Sequence, residues 1–276
     1  MEKNIEKIYE SITYQILNIE SLIDECGEIK VISKPKGTAE SQDYYHDFVY
    51  FVLTKSCKTL SASMILTENL YSEDSQILIR SVYENYLSLK HLSKNMDDLY
   101  HFLTKTVGLA AGIYTHPISK KGNIQRTKLF DPKTGETSNF GLSISRMAES
   151  MDSKNEQIVH KTLYPYLCEL THLNMMSSGN YRNKEETKYT YRSSEPSINP
   201  YIFIPYVLIL LCDFLTCDVG LYNKVIAKKI FKINKEIKKH LLKLNTGLKF
   251  HNGDDEFLKH LNLRLTEKRT LKKVSA

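Results

Sequence analysis

The sequence predicts an all-α protein, a multi-helix antiparallel bundle that carries one small β-hairpin insertion. Three observations predict this fold class. Apolar residues recur at spacings of three and four along most of the 276-residue chain, which is the period of an α-helix. Glycine and proline, which interrupt helices, number only 11 and 7. Apolar residues make up 41% of the chain, which is enough for a large core.

Four helices are predicted before the hairpin, over residues 3–26, 41–70, 73–94 and 97–114. In the first of them isoleucine returns every three or four residues. The link between the second and the third helix is very short, so these two helices must be antiparallel neighbours.

The helical pattern breaks at about residues 118–141, where the segment Asp131-Pro-Lys-Thr-Gly135 has the composition of a tight turn. Short runs that suit β-strands flank this turn. The sequence therefore predicts a hairpin insertion at this place. After it, helices are predicted over 142–149, 154–176, 199–221, 224–244 and about 254–263, followed by a frayed basic tail.

Charge divides the chain at about residue 223. Residues 223–276 carry 15 lysines and arginines against 5 acidic residues, whereas the remainder carries 23 against 27. We therefore interpret residues 1–222 as a helical domain and residues 223–276 as a basic amphipathic helix and tail packed on the same domain.

Several classes of protein are excluded or disfavoured. The chain has no P-loop, no GxGxxG, no HExxH and no GxSxG motif. Its five cysteines show no zinc-binding spacing, and the sequence predicts neither a metal nor another cofactor. The N-terminus has no signal-peptide pattern, and the longest apolar run, 201–212, is too short for the about 20 residues of a membrane span. We expect a cytoplasmic protein with no membrane partner.

The candidate catalytic residues are Arg80, Glu84 and His172. Arg80, Glu84 and His91 share one face of an otherwise largely apolar helix, which predicts that the Arg80–Glu84 pair lies inside the fold or in a cleft. A guanidinium, a carboxylate and an imidazole are the groups that acid–base cleavage of a phosphodiester needs. The alternative is an ordinary helix ion pair and a core histidine.

A metal site is a further alternative for the same region, because His46 and His91 could converge with Glu84 and His172 if their helices pack together. The Glu-x-x-His pairs of di-iron bundles are missing from these helices. The sequence therefore favours the acid–base interpretation over the metal site.

Two basic segments are candidates for nucleic-acid binding, since lysine and arginine pair with phosphates while tyrosine stacks on bases. The alternative is a solvated helix face and a flexible loop. The candidate residues are Arg182, Lys188 and Arg192 in the predicted loop 177–200, and Lys228, Lys232, Lys235 and Lys239 on the predicted helix 224–244.

The segments Arg80-Ser-Val-Tyr-Glu84 and Leu167-Cys-Glu-Leu-Thr-His172 carry a resemblance. Over about residues 40–220 the chain resembles a bacterial all-helical family of unknown function that pairs an R-x-x-x-E helix with a later L-[SC]-x-x-x-H helix. The resemblance implies that Arg80, Glu84 and His172 form one site. It carries no established activity.

The architecture is also similar to the HEPN helical bundles, which include dimeric, metal-independent RNases of toxin and phage-defence systems. Those RNases carry a histidine four to six residues after an arginine. No arginine in this sequence has a histidine in that window. The similarity therefore implies either a catalytic pair that is rearranged across helices or a non-catalytic relative.

Taken together, these features favour an intracellular bacterial protein that binds or cleaves RNA in stress or phage defence, and that forms a homodimer. The alternative is a non-enzymatic interaction protein whose Arg80–Glu84–His172 network is structural. In that alternative the basic helix would bind an acidic protein partner. A third option, a sensor for a small ligand, has no specific residues to support it.

Overall fold

The computed structural model describes residues 2–26, 39–139, 143–171, 178, 181–182, 188–190, 197–246 and 254–273. Over these residues the chain forms nine α-helices and one two-stranded antiparallel sheet, which confirms the predicted fold class. A π-helical turn, Phe214–Val219, continues the seventh helix. The elements are α1 (Glu2–Cys26), α2 (Ala39–Glu68), α3 (Ser72–Leu92), α4 (Met96–Ala110), β1 (Lys128–Phe130), β2 (Thr137–Asn139), α5 (Ile144–Ala148), α6 (Lys154–Thr171), α7 (Asn199–Asp213), α8 (Lys224–Thr246) and α9 (Asp254–Thr266).

Helix α3 lies at the centre of the bundle. It contacts α2, α4, α5, α6 and α7, and none of its residues from Ser75 to Leu92 is exposed. A helix that is apolar around most of its circumference is stable only when neighbours cover it on several sides. The buried position predicted for this helix is therefore confirmed.

Helices α3 and α6 pack antiparallel. The Tyr86 hydroxyl donates to Glu156 Oε1 at 2.6 Å, and the Tyr83 hydroxyl lies 3.1 Å from His160 Nδ1. Residue numbers fall along α3 as they rise along α6, which is the mark of an antiparallel pair. Polar side chains of the two helices consequently meet in register.

Helix α7 and its π-helical continuation form the apolar centre of the fold. The segment Asn199–Val219 is long and apolar enough to cross a membrane by length and composition, but 89% of its most apolar window is buried. Helix α7 contacts α1, α2, α3 and α8, so protein covers it on several sides. The helix ends at Gly220, whose positive φ of 76° favours glycine.

Helix α8 is strongly amphipathic. Its apolar side packs on α1 and α7, and the Gln15 side-chain amide of α1 donates to the Ile230 carbonyl at 2.9 Å. Helix α9 packs on α6 and α8. The buried apolar residues of α8 are Ala227, Ile230, Ile237, Leu241 and Leu244.

The segment that follows α9 is ordered as far as residue 273, so the prediction of a frayed tail is wrong for residues 267–273. The Lys272 backbone N–H donates to the Thr216 carbonyl at 3.0 Å. The Arg269 guanidinium lies 3.1 Å from Asp218 Oδ1. Because Asp218 comes from the π-helical turn, a charge that is distant in sequence holds this basic segment in place.

The predicted hairpin is present. Strands β1 and β2 pair with Lys128 opposite Asn139 and with Phe130 opposite Thr137. Gly135 supplies the positive φ of the turn, 73°, and its N–H donates to the Asp131 carbonyl at 2.8 Å. Turn composition alone was sufficient to locate this element.

Helix α4 ends at Ala110, four residues before the predicted end. Gly112 turns the chain back with a φ of 72°. The Tyr114 ring then covers Gly108, where a Cβ atom would lie 2.5 Å from the ring. The missing side chain of Gly108 is therefore what lets the chain fold back over the end of the helix.

A buried ionic cluster joins five helices. It is built on two carboxylates, Glu156 of α6 and Asp213 of α7. Arg264 of α9 is fully buried and lies between them, with Nε 2.9 Å from Glu156 Oε2 and Nη1 3.1 Å from Asp213 Oδ2. Lys238 of α8 donates to both oxygens of Asp213 at 2.8 Å, and Tyr86 of α3 donates to Glu156.

The cluster keeps its arginine charged. Burial by itself lowers the pKa of Arg264, but the carboxylates of Glu156 and Asp213 outweigh it and hold that pKa well above the ordinary value. A buried ion pair adds little net stability compared with apolar packing, yet removing one partner leaves a buried charge unpaired. Any arrangement of the five helices that separates these charges is therefore strongly disfavoured.

We predict that Arg264→Met lowers the free energy of unfolding by about 3–5 kcal/mol, because it leaves Glu156 and Asp213 without their shared cation. Urea denaturation followed by circular dichroism measures the change. Arg126→Met, at an exposed arginine in the segment before β1, is the matched control and should change little. A loss below about 1 kcal/mol in Arg264→Met would contradict the role of the cluster.

Candidate functional site

A polar cluster lies where α3 and α6 meet, and Arg80 and Glu84 are its charged members. Arg80 Nε donates to Glu84 Oε1 at 2.9 Å, one helical turn away. Their side chains are 18% and 33% exposed, so the pair is neither sealed in the core nor free in solvent. The pair thus occupies a half-buried position on a helix that is otherwise covered.

Tyr164 of α6 completes this α3–α6 cluster. Its hydroxyl donates to Glu84 Oε1 at 3.0 Å and accepts from Arg80 Nη2 at 3.4 Å. The Arg80 guanidinium also lies 5.5 Å from the centre of the Tyr164 ring, within the range of a cation–π contact. The three side chains therefore form a closed triangle of hydrogen bonds.

The charges of the triangle are reinforced by their neighbours. Burial lowers the pKa of Arg80, but the hydrogen bonds with Tyr164 and Glu84 more than compensate and leave that pKa raised. Burial raises the pKa of Tyr164, and its bond to the Glu84 carboxylate raises it further. The arginine is thus charged and the phenol un-ionised at neutral pH.

His160 lies beside the triangle, one turn before Tyr164. The two rings are stacked, with their centres 5.4 Å apart. The fully buried Tyr83 hydroxyl is 3.1 Å from His160 Nδ1, and donation from Tyr83 would satisfy this hydroxyl. This arrangement would place the ring proton of a neutral imidazole on Nε2. Burial lowers the pKa of His160, which favours the neutral ring.

The other histidines named from the sequence do not join this cluster in the described residues. His172 follows the last described residue of α6 and lies outside the described residues, so its convergence with Arg80 and Glu84 stays a prediction. His91 is buried and bonds Ser150 at 2.8 Å and Asp98 at 2.9 Å. It belongs to a separate packing network between α3, α4 and α5.

Within the described part of the chain, no group of three or more His, Cys, Asp or Glu side chains is placed to hold a metal ion. His46 lies in α2 and forms a ring contact with its neighbour Tyr45. Both ring nitrogens of His91 are occupied by hydrogen bonds with Ser150 and Asp98. The proposed convergence of His46 and His91 with Glu84 is therefore not found, and that of His172 falls outside the described residues.

A basic groove runs between α8 and the segment 268–273. On α8 it is bordered by Lys228, Lys232, Lys235 and Lys239, which are all exposed and fall on one face of the helix at successive spacings of four, three and four. On the other side are the exposed lysines Lys268, Lys272 and Lys273.

Two cavities lie along the basic groove. The larger, about 600 Å³, is formed by the C-terminal half of α8, the end of α9 and the segment after it. The smaller, about 300 Å³, is formed by the start of α8 and residues 271–273. The larger one, here called the α8–α9 cavity, is lined by Asp213, Phe231, Asn234, Lys235, Lys238, Lys239, Leu242, Lys243, Leu265, Glu267, Lys268, Arg269 and Thr270.

The predicted loop 177–200 is described only in part. Arg182 and Tyr189 form an isolated antiparallel bridge, and the Arg182 guanidinium lies 5.0 Å from the centre of the Tyr189 ring. Arg182 also donates to the Tyr189 hydroxyl at 3.2 Å, and Lys188 is exposed. Arg192 lies outside the described residues. The described contacts do not connect this loop to the basic groove.

Sequence reasoning missed the part of α6 that completes the cluster. His160, Tyr164 and Cys168 recur every four residues and therefore share one helix face, which was a usable signal. Lys268 and Arg269 line the cavity on a segment for which the sequence predicts a frayed tail, so the sequence does not identify them as cavity residues. No local pattern indicates that this segment packs alongside α8.

Comparison with known proteins adds one finding. A family model described as "Family of unknown function (DUF5677)" matches residues 46–189, just over half of the 276 residues. The matched range contains Arg80, Glu84, His160 and Tyr164, whereas α8 and α9 lie outside it. No curated protein and no solved structure matches the chain.

We predict that His160→Gln reduces the decrease in the free energy of unfolding that the parent protein shows as the pH falls. Because the pKa of His160 is lowered in the folded state, the unfolded chain takes up the proton first. The folded protein should therefore lose stability as the pH falls below about 6.5, the ordinary histidine value. Urea midpoints at neutral and acidic pH measure this loss.

The control for this prediction is His101→Gln, at an exposed histidine of α4. We expect the His160 variant to show a flatter dependence of stability on pH than either the parent protein or the control. An unchanged slope in the His160 variant would contradict the neutral imidazole.

Proposed function

Because the chain belongs to the DUF5677 family, a family of unknown function, we propose its activity from its own surface: the protein binds RNA along the basic groove. The observation that carries the proposal is the row of exposed lysines on one face of α8, which faces further lysines on the segment after α9. A groove with cations on both sides follows a chain of phosphates better than a single charged helix face does.

The groove retains most of its positive charge. Lys239, Lys243 and Lys268 have no ion-pair partner among the described residues, whereas Lys238 is bound to Asp213. Free ammonium groups release counterions from a polyanion when they contact it, and this release drives association. The uneven charge of the chain supports the same conclusion, since its positive excess lies in residues 223–276.

An acidic protein partner is the alternative occupant of the basic groove. It would use the same lysines but would not reproduce the regular spacing of phosphates. Competition between RNA and polyglutamate of equal charge distinguishes the two. Three statements stay predictions from the sequence. They are that the protein is bacterial and cytoplasmic, that it acts in stress or phage defence, and that it forms a homodimer.

A second candidate function is metal-independent cleavage of the bound RNA at the α3–α6 cluster. The partial exposure of Arg80 and Glu84 favours it, because a ligand in solvent can reach a pair that is not sealed in the core. Arg80 would stabilise charge on phosphate, Glu84 would orient it or accept a proton, and His172 would transfer protons. The closed hydrogen-bond triangle favours the structural alternative instead.

The first experiment measures binding of a labelled single-stranded RNA by fluorescence anisotropy. Lys228→Ala/Lys232→Ala/Lys239→Ala should bind at least about tenfold more weakly at moderate salt. Its salt dependence should be shallower by about two, since each lost phosphate contact removes about 0.7 from the slope on a single strand.

The matched control removes three exposed lysines from the segment between α4 and β2, as Lys120→Ala/Lys121→Ala/Lys133→Ala. This variant has the same net charge as the α8 variant and should retain the affinity of the parent protein. Equal losses in both triple variants would show that net charge alone, and not the groove, accounts for the binding.

The second experiment tests cleavage with end-labelled single-stranded RNA, with and without EDTA. If the α3–α6 cluster is catalytic, products form in EDTA and are lost in both His172→Ala and Glu84→Gln. Tyr164→Phe, which removes one hydroxyl from the triangle, should then slow the reaction. Intact RNA after incubation with folded parent protein would leave binding as the function and the cluster as packing.

A further inference from the structure

We propose that the basic groove is specific for single-stranded RNA, and that it holds one unpaired nucleotide in the α8–α9 cavity. This inference rests on the proposed RNA binding and names its substrate class. A surface that only paired lysines with phosphates would accept single strands and duplexes alike. The composition of the α8–α9 cavity argues for more than charge pairing.

The α8–α9 cavity has an apolar part that a flat basic surface would lack. Phe231 and Leu242 of α8 and Leu265 of α9 all line it. Its volume of about 600 Å³ falls within the range of about 300–1,000 Å³ that is typical of small-molecule sites. A cavity that combines an aromatic ring, aliphatic side chains and lysines matches a nucleotide, which combines a flat aromatic base with a charged phosphate.

The aromatic ring is already in contact with a cation. Lys235 Nζ lies 4.5 Å from the centre of the Phe231 ring. A base that stacks on Phe231 would take the place of this ammonium group, and the flexible lysine could then contact the phosphate of the same nucleotide. Lys235 is exposed, so this rearrangement would not disturb the core.

Cations of two kinds surround the cavity. Lys238 is paired with Asp213 and Arg269 with Asp218, so the positions of these two cations are fixed by ion pairs. The lysines at 239, 243 and 268 have no ion-pair partner in the described part of the chain. The cavity therefore has a fixed inner wall and a rim of ammonium groups available to phosphate.

The smaller cavity provides a path for the neighbouring nucleotides. It lies farther along the same groove and is lined by Lys224 and Lys228 of α8 and by Lys272 and Lys273 opposite. A single strand can place one base in the α8–α9 cavity while its next phosphates contact these lysines. A duplex keeps its bases stacked inside, so it would present phosphates alone.

The test compares three ligands by fluorescence anisotropy: a single-stranded RNA decamer, the same decamer in a duplex, and a decamer of equal charge that lacks bases. We expect the parent protein to bind the single strand about tenfold more tightly than either of the others, as one stacked base would provide. Phe231→Leu keeps the cavity apolar but should lose this preference, while retaining its affinity for the baseless decamer.

Phe51→Leu is the matched control, because Phe51 is an exposed phenylalanine on α2, away from the groove. It should behave as the parent protein. Equal affinity for single strand and duplex in the parent, or equal effects of the two phenylalanine variants, would overturn the nucleotide site while leaving RNA binding intact. Failure of the parent to bind any of the three ligands would overturn the proposed function as well.

Discussion

The arrangement of the helices depends on a carboxylate that is buried where α7 changes into its π-helical turn. Asp213 is 1% exposed and contacts cations from α8, α9 and the segment after α9. Removing a cation that pairs with a buried carboxylate is strongly destabilising, because an unpaired charge in the core costs far more than a missing apolar contact. Lys238, Arg264 and Arg269 are therefore committed to their positions.

The same buried ion pairs determine how part of the molecular surface is arranged. The pairing of Asp213 and Asp218 with Arg269 holds the chain after α9 alongside α8. The lysines of that segment then face the exposed lysines of α8, and the basic groove forms between them. Exposed lysines thus face each other across this groove because the charges beneath it are buried and paired.

The charged groups of the α3–α6 cluster are less deeply buried than those of the ionic cluster. The α3–α6 cluster stands on α3, none of whose residues from Ser75 to Leu92 is exposed, yet Arg80 and Glu84 are only half-buried. The two charges are paired with each other, and each also forms a hydrogen bond with the Tyr164 hydroxyl. His160, the Glu84 carboxylate and the Arg80 guanidinium all contact Tyr164, so an imidazole, a carboxylate and a cation surround one side chain.

The two candidate surfaces also differ in their relation to the family. The α3–α6 cluster lies inside the range that the family model matches, whereas the basic groove lies outside it. Whatever chemistry the cluster supports belongs to the part of the chain that defines the family. The groove belongs to the C-terminal part, where the positive charge of this chain is concentrated.

The helical fold class, the hairpin, the burial of α3 and the lysine stripe of α8 could all be predicted from the sequence. Each of these follows from a local pattern: a period of 3.6 residues, a turn composition or a spacing along one helix. The sequence also placed Arg80 and Glu84 on one face, since residues four apart in a helix are neighbours.

Which distant residues meet depends on how the helices pack, and the sequence does not show this. Tyr164 joins Arg80 from 84 positions away, and Arg264 joins Glu156 from 108 positions away. The spacing of residues along one helix carries no information about which side chains of another helix will face them. The sequence therefore predicts Arg80 and Glu84 of the α3–α6 cluster but not Tyr164 and His160. The buried ionic cluster and the α8–α9 cavity depend on how the helices pack.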